Sequence, residues 1–161
     1  MAYSVKFTSQ LIDIHVHGAR THDTGTRRQD DILAIAEVHG QRGTGAIVPT
    51  VYPGTVESMR ASLTAIRKAM TVQRSGAKIL GAHLEGPFLN VKYAGSLVAK
   101  GFLEPSVRLL GEIIDGFEDI IRIITIAPEL KGALKVIETS RKKGFLVQMG
   151  HSDATFEQAE D

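Results

Sequence analysis

Apolar, β-branched runs of strand length recur along the chain, each followed by a segment of helical period. The first run covers residues 11–17, and an amphipathic stretch follows at about 30–42. The cycle repeats with strands at 45–51 and 78–85, and a helix at 56–73 between them. A loop with Gly86, Pro87, Gly95 and Gly101 comes next, then one or two helical pieces within 105–117. Strands at 120–126 and 145–149 flank a helix at 132–143, and a further helix starts near Thr155. About five βα units result. Such alternation predicts parallel strands joined by right-handed crossovers, hence an α/β domain.

Two architectures suit that pattern. A length of 161 residues favours a doubly wound open sheet, because a (β/α)8 barrel usually takes about 250. The chemistry-bearing side chains favour the barrel, because they cluster at the C-terminal ends of strands, where barrels build their sites. Composition narrows the function. With 19 basic and 18 acidic residues, no Trp and three Tyr, the chain has neither the basic field nor the stacking surface of a nucleic-acid binder. The sequence has no apolar stretch of membrane-spanning length, and its opening residues lack the apolar core of a secretory signal. A soluble, cytoplasmic protein is expected. Without cysteine, any metal must rest on imidazoles and carboxylates.

The first strand reads LIDIHVHG, so Asp13, His15 and His17 share one face, while Ile12, Ile14 and Val16 share the other. At about 3.3 Å per residue, two imidazoles at positions i and i+2 can converge on one ion. The same spacing pairs His83 with Glu85, beside a Gly-Pro turn that stops the strand. His83 suits a hydrogen-bonded core position, and Glu85 suits a ligand or a bridge at the rim. The strand at 145–149 leads into His151, one more imidazole at a strand end. His22, in a loop, and His39, in a helical segment, have no ligand-spaced partner and read as structural or solvated. No GxGxxG or P-loop pattern offers a phosphate clamp.

LIDIHVHG, GAHLEGPFLN at 81–90, APE at 127–129 and GHSDAT at 150–155 resemble, in order and spacing, the N-acetylglucosamine-6-phosphate deacetylases of the amidohydrolase superfamily. HLEGP followed some distance on by GHSxAT is specific to these deacetylases, whereas HxH marks only the superfamily. The likeness covers about residues 11–161, leaving 1–10 as an N-terminal extension. It implies a (β/α)8 TIM-type barrel in which Glu85 and His151 bind a divalent metal, zinc or iron. His15 and His17 would complete a second site, bridged by Glu85. The implied reaction is hydrolysis of the acetamide of N-acetylglucosamine 6-phosphate to glucosamine 6-phosphate and acetate. Ser96 falls where the family's glycine-rich loop offers a polar side chain to the sugar.

The sequence departs from the family pattern in several places. Leu97 stands where a polar group is common and cannot hydrogen-bond a sugar. The later metal-binding histidine, the acid/base aspartate of the eighth strand and the accessory β-sandwich are expected outside these 161 residues. The expectation is therefore an incomplete barrel of about five βα units with little or no activity by itself. Its open sheet edges would favour self-association. Two other readings stand beside this one: a non-catalytic metal-binding or assembly module, and an amidohydrolase for a different N-acyl sugar.

Overall fold

A computed structural model describes residues 11–160; the extension expected at 1–10 lies outside the described residues. The chain runs β1 (Leu11–Val16), a small hairpin of β2 (Gly18–Ala19) and β3 (His22–Asp23), then α1 (Gln29–Gln41), β4 (Thr44–Val51) and α2 (Val56–Val72). There follow β5 (Lys78–Ile79), β6 (Ala82–Glu85), α3 (Val107–Ile114), β7 (Ile121–Ile126), α4 (Ala133–Lys142), β8 (Leu146–Met149) and α5 (Phe156–Glu160).

The sheet order is β1-β4-β6-β7-β8, all parallel, with β5 also paired to β4. Strands therefore add in chain order without reversing. Right-handed crossovers then place every connecting helix on one face, as in a barrel, whereas a doubly wound sheet must reverse at a switch point. The result is five strand positions of a partial TIM-type barrel. Among the described residues, β1 and β8 form its two edges. No helix of these residues is long and apolar enough to cross a membrane.

The strand expected to run unbroken over 78–85 is interrupted at Leu80 and Gly81. Gly81 has φ 151, and a Cβ there would overlap the Ile120 carbonyl oxygen. The break leaves β5 and β6 paired in turn to the two halves of β4.

Alternation divides the side chains between two faces. Ile47 and Val51 of β4, Ala82 and Leu84 of β6, and Ile124 and Ile126 of β7 join one apolar cluster with Ile32, Ile35, Leu63, Ile66, Leu110, Ile113 and Val136 of the helices. The other, concave face carries Thr50, His83, Glu85 and Thr125, all buried and polar. Local signals fix the helices: Thr55 caps α2 by accepting from Ser58 N, and Ser106 caps α3 by accepting from Leu109 N. At the β1 edge, Ile12 and Ile14 remain exposed, although alternation puts them on the helix-bearing face.

Candidate metal centre

Three strand ends meet on the concave face. β1 supplies His15, and the residue just after it, His17, points the same way. Pro49 in β4 has no N–H to donate, and the β1–β4 register is irregular nearby, between Asp13 and Val16. Val16 N bonds instead to Thr50 Oγ1 at 3.0 Å, which ties the end of β1 down. Thr24, fully buried just after the β2–β3 hairpin, donates through N to the His17 carbonyl at 3.0 Å and through Oγ1 to the Thr50 carbonyl at 2.6 Å, with the His17 carbonyl 3.2 Å from the same hydroxyl. Tyr52 stacks on the His17 ring with centroids 4.3 Å apart and donates its hydroxyl to Asp23 Oδ2 at 3.2 Å. Burial and the nearby Asp23 charge push the Tyr52 phenol up to about 12, so it stays neutral.

Glu85 ends β6 and is 3% exposed. Three imidazoles surround its carboxylate. His15 Nε2 lies 3.1 Å from Oε1, His151 Nε2 3.0 Å from Oε1, and His17 Nε2 3.0 Å from Oε2. The His15 and His17 Nε2 atoms are themselves 3.0 Å apart. Burial works against ionisation of Glu85, but the adjacent imidazoles of His17, His151 and His15, where they turn N–H groups or positive charge toward it, outweigh burial and hold the carboxyl down to about 2. Glu85 is therefore an anion throughout the neutral range.

His151 follows β8 with φ 50, in the left-handed region. Such backbone typically costs about 1–3 kcal/mol and persists only where its surroundings hold it. Asn90 N donates to the His151 carbonyl at 2.9 Å, and His151 Nδ1 lies 2.7 Å from the Tyr93 carbonyl. A carbonyl only accepts, so Nδ1 carries the proton. Nε2 then meets Glu85 Oε1 either with a second proton, donating to the carboxylate, or with its lone pair. Lone pair facing carboxylate is repulsive unless a proton or a cation lies between them.

The donor set can be tested against an ion. A tetrahedral zinc with ligands at about 2.0–2.1 Å sets neighbouring donors roughly 3.4 Å apart. His15, His17 and Glu85 each offer an atom within 4.8 Å of the others. The 3.0–3.1 Å separations need to open only slightly. Glu85 Oε2, although close to His17 Nε2, is buried without a properly directed hydrogen bond. A cation would satisfy that oxygen and remove any lone-pair conflict at His151, so the residues fit the group.

His83 stands apart from this cluster in role. Fully buried, it has Nδ1 3.1 Å from the Ile14 carbonyl and Nε2 2.8 Å from Thr125 Oγ1. Both nitrogens are satisfied, with Nδ1 donating and Nε2 accepting. Burial and the neighbouring His15 charge push its pKa down to about 4. It is a core histidine that pins β1 to the strands beyond β4. His22 pairs through Nδ1 with Asp31 Oδ1 at 2.9 Å, a structural contact next to α1. Ser96 is exposed on the loop after β6, beside Gly95, whose added Cβ would sit 3.9 Å from His151 Cε1. Leu97, its neighbour, is half-buried.

Sequence reasoning did not find three contributors. Tyr52 and Tyr93 act through a ring face and a backbone carbonyl, which leave no spacing signature. Glu129 lies in the APE motif without an assigned role; it binds the residues after His151. Its three partners, on two loops, are joined only by the fold.

No family model matches the chain. It is 34% identical over 148 residues to N-acetylglucosamine-6-phosphate deacetylase of Vibrio furnissii, an alignment covering 92% of this chain and 37% of that protein. It is 30% identical to N-acetylgalactosamine-6-phosphate deacetylase of Escherichia coli O157:H7, over 91% of this chain and 39% of the relative. Among solved structures, N-acetylglucosamine-6-phosphate deacetylase of Thermotoga maritima superposes with a TM-score of 0.80 at 28% identity, over 94% of this chain and 39% of that one. The Mycobacterium smegmatis enzyme of the same name gives 0.83 at 26%, over 92% of this chain and 41% of that one. The chain is a homologue of the N-acetylglucosamine-6-phosphate deacetylases and spans about two-fifths of their length.

Proposed function

We propose that His15, His17, Glu85 and His151 bind one or two divalent ions, zinc or iron, in a hydrolase that removes the acetyl group of an N-acetylhexosamine 6-phosphate. The products are the amino-sugar 6-phosphate and acetate. The observation that carries this reading is the convergence of three imidazoles on one buried carboxylate at 3.0–3.1 Å. The relatives' names support the substrate class, and both the gluco and the galacto epimer occur among them. N-Acetylglucosamine 6-phosphate is the first choice, and the polar Ser96 beside the site is proposed to meet the sugar.

An ion held there supplies Lewis-acid polarisation of the amide oxygen and lowers the pKa of a bound water to about 7. Glu85 turns Oε1 toward His15 and His151 and Oε2 toward His17, so these four residues would together hold one ion or two. Tyr52 stacking holds the His17 ring plane, and the Tyr93 carbonyl selects the His151 tautomer that leaves Nε2 free to ligate. General acid–base catalysis is typically worth about 10²- to 10⁴-fold, and no proton-transfer group is assigned among the described residues. This chain is therefore proposed to bind the ion and to turn substrate over little.

The test separates binding from turnover. Zinc titration of the chain, with a chromophoric chelator as competitor, should show binding that His151→Asn and Glu85→Gln weaken. At a free zinc concentration about 100 times the Kd, stability should rise by about 2.7 kcal/mol. Thermal unfolding with and without the ion reads this directly. No binding by the unaltered chain would overturn the proposal. Acetate release from the two epimeric sugar phosphates then ranks the substrates.

A second reading, a metal-binding module that assembles with further copies of itself, is favoured by one observation. Ile12 and Ile14 on one sheet edge, and Leu146 and Met149 on the other, are exposed. Discrete oligomers with bound zinc and no acetate release would support it.

A further inference from the structure

Glu129 lies just beyond β7, and its carboxylate accepts three hydrogen bonds. Oε1 receives Asn90 Nδ2 at 2.8 Å and Asp153 N at 2.7 Å; Oε2 receives Ser152 Oγ at 2.7 Å. These partners bracket His151 on both sides. Asn90 N also holds the His151 carbonyl at 2.9 Å, while Ser152 and Asp153 are the two residues that follow it. Ser152 Oγ in turn accepts from Ala154 N at 3.0 Å, closing the turn. Tyr93, whose carbonyl fixes the His151 ring, donates its hydroxyl to Asp153 Oδ1 at 2.6 Å, and Lys92 Nζ lies 3.7 Å from Asp153 Oδ2. The loop after β6 and the turn after β8 thus meet on one carboxylate.

From this arrangement we propose that Glu129 is a positioning residue: it clamps the 151–153 turn against Asn90, keeps His151 at φ 50, and so aims Nε2 at Glu85. Its consequence for metal rests on the reading of His151 as a ligand; its consequence for geometry does not. The chemistry favours a carboxylate because Glu129 must accept three times and donate nowhere. A glutamine can keep most of the clamp. Its amide oxygen can take over the Asn90 and Asp153 bonds, and its amide nitrogen can donate to Ser152 Oγ once the hydroxyl turns. An alanine loses all three.

The test compares Glu129→Ala, Glu129→Gln, Ser152→Ala and His151→Asn in the full chain. A metal-free crystal structure of Glu129→Ala should show His151 at negative φ, with Nε2 beyond hydrogen-bond reach of Glu85. An unmoved His151 overturns the proposal. Zinc affinity, read by chelator competition, should fall about 10- to 100-fold in Glu129→Ala, the range found when a group that orients a metal ligand is removed. It should recover in Glu129→Gln and fall less in Ser152→Ala, which loses one bond and guards against an alanine variant that fails to fold. In the His151→Asn background, Glu129→Ala should change zinc affinity no further. An equal loss in both backgrounds makes Glu129 a general structural residue and overturns the proposal. If His151→Asn alone leaves zinc affinity unchanged, the reading of His151 as a ligand fails, and the crystal structure still decides whether Glu129 holds His151.

Discussion

Glu85 is an acid that burial should neutralise and three imidazoles keep charged. Its carboxyl falls from 4.5 to about 2 because the imidazoles of His17, His151 and His15 gathered around it outweigh desolvation. A depressed acid stabilises the fold in full above its unfolded pKa and loses that contribution as pH falls through the folded value. In Glu85→Gln, metal-free stability should therefore drop by a few kcal/mol at pH 5 to 6, a figure on the order of what such a shift represents. The difference from the unaltered chain should shrink as pH falls from 4.5 toward 2, which urea unfolding at several pH values would read. Zinc affinity should fall more than about 100-fold, since losing a group that merely orients a ligand already costs 10- to 100-fold. At this scale the sequence was informative about which side chains converge. The i, i+2 spacing of His15 with His17, the position of Glu85 before a Gly-Pro turn and the histidine after the last strand were all legible. What was not legible is how His151 is aimed. A left-handed histidine carries no mark such as glycine would, and the Glu129 clamp joins residues 39 positions apart to others only 23 and 24 away.

At the level of elements, strand placement was predictable to within a residue or two because each run is apolar and bounded by polar or glycine punctuation. The break at Gly81 was not read, although a glycine within a strand often marks a close backbone approach. Here the approach is to Ile120, whose carbonyl also accepts from Ala82 N at 2.8 Å. Gly81→Ala would place a Cβ against that oxygen and force an L residue to φ 151. It should destabilise the chain by about 1–3 kcal/mol, the range for strained backbone and overpacking. For a chain of this size that corresponds to a Tm lower by about 2–4 °C per kcal/mol. Zinc affinity should fall as well, because Gly81 sets the start of the four-residue strand that delivers Glu85. A variant with unchanged Tm would show that the backbone yields freely there. The β2–β3 hairpin escaped notice because strands of two residues are too short to show a period. It nonetheless carries Thr24 to the His17 carbonyl.

For the whole molecule, length pointed to an open doubly wound sheet and the placement of His and Glu pointed to a barrel. Strand order settles the question, because every crossover leaves the concave face free for the polar side chains. A sheet with unpaired edges presents rows of free N–H and C=O groups, which invite pairing with another chain unless charge or cover intervenes. Among the described residues, apolar side chains stand open on both edges: Ile12 is 58% and Met149 58% exposed. Beside Met149, a groove of about 970 Å³ runs between α4 and β8, lined by apolar Leu134, Ile137 and Val147 and by charged Glu138, Arg141 and Lys142. Burying such surface in a second copy is favourable, so the chain should sediment as concentration-dependent oligomers across the micromolar range. Ile12→Lys combined with Met149→Lys places a charge on each edge strand. Since both side chains are already exposed, the helical and strand content read by circular dichroism should persist while the species shifts to monomer. Sedimentation velocity on the unaltered chain and the double variant decides the matter. A monomer in both would show that the edges are inert, and oligomers in both would place the contact on another surface.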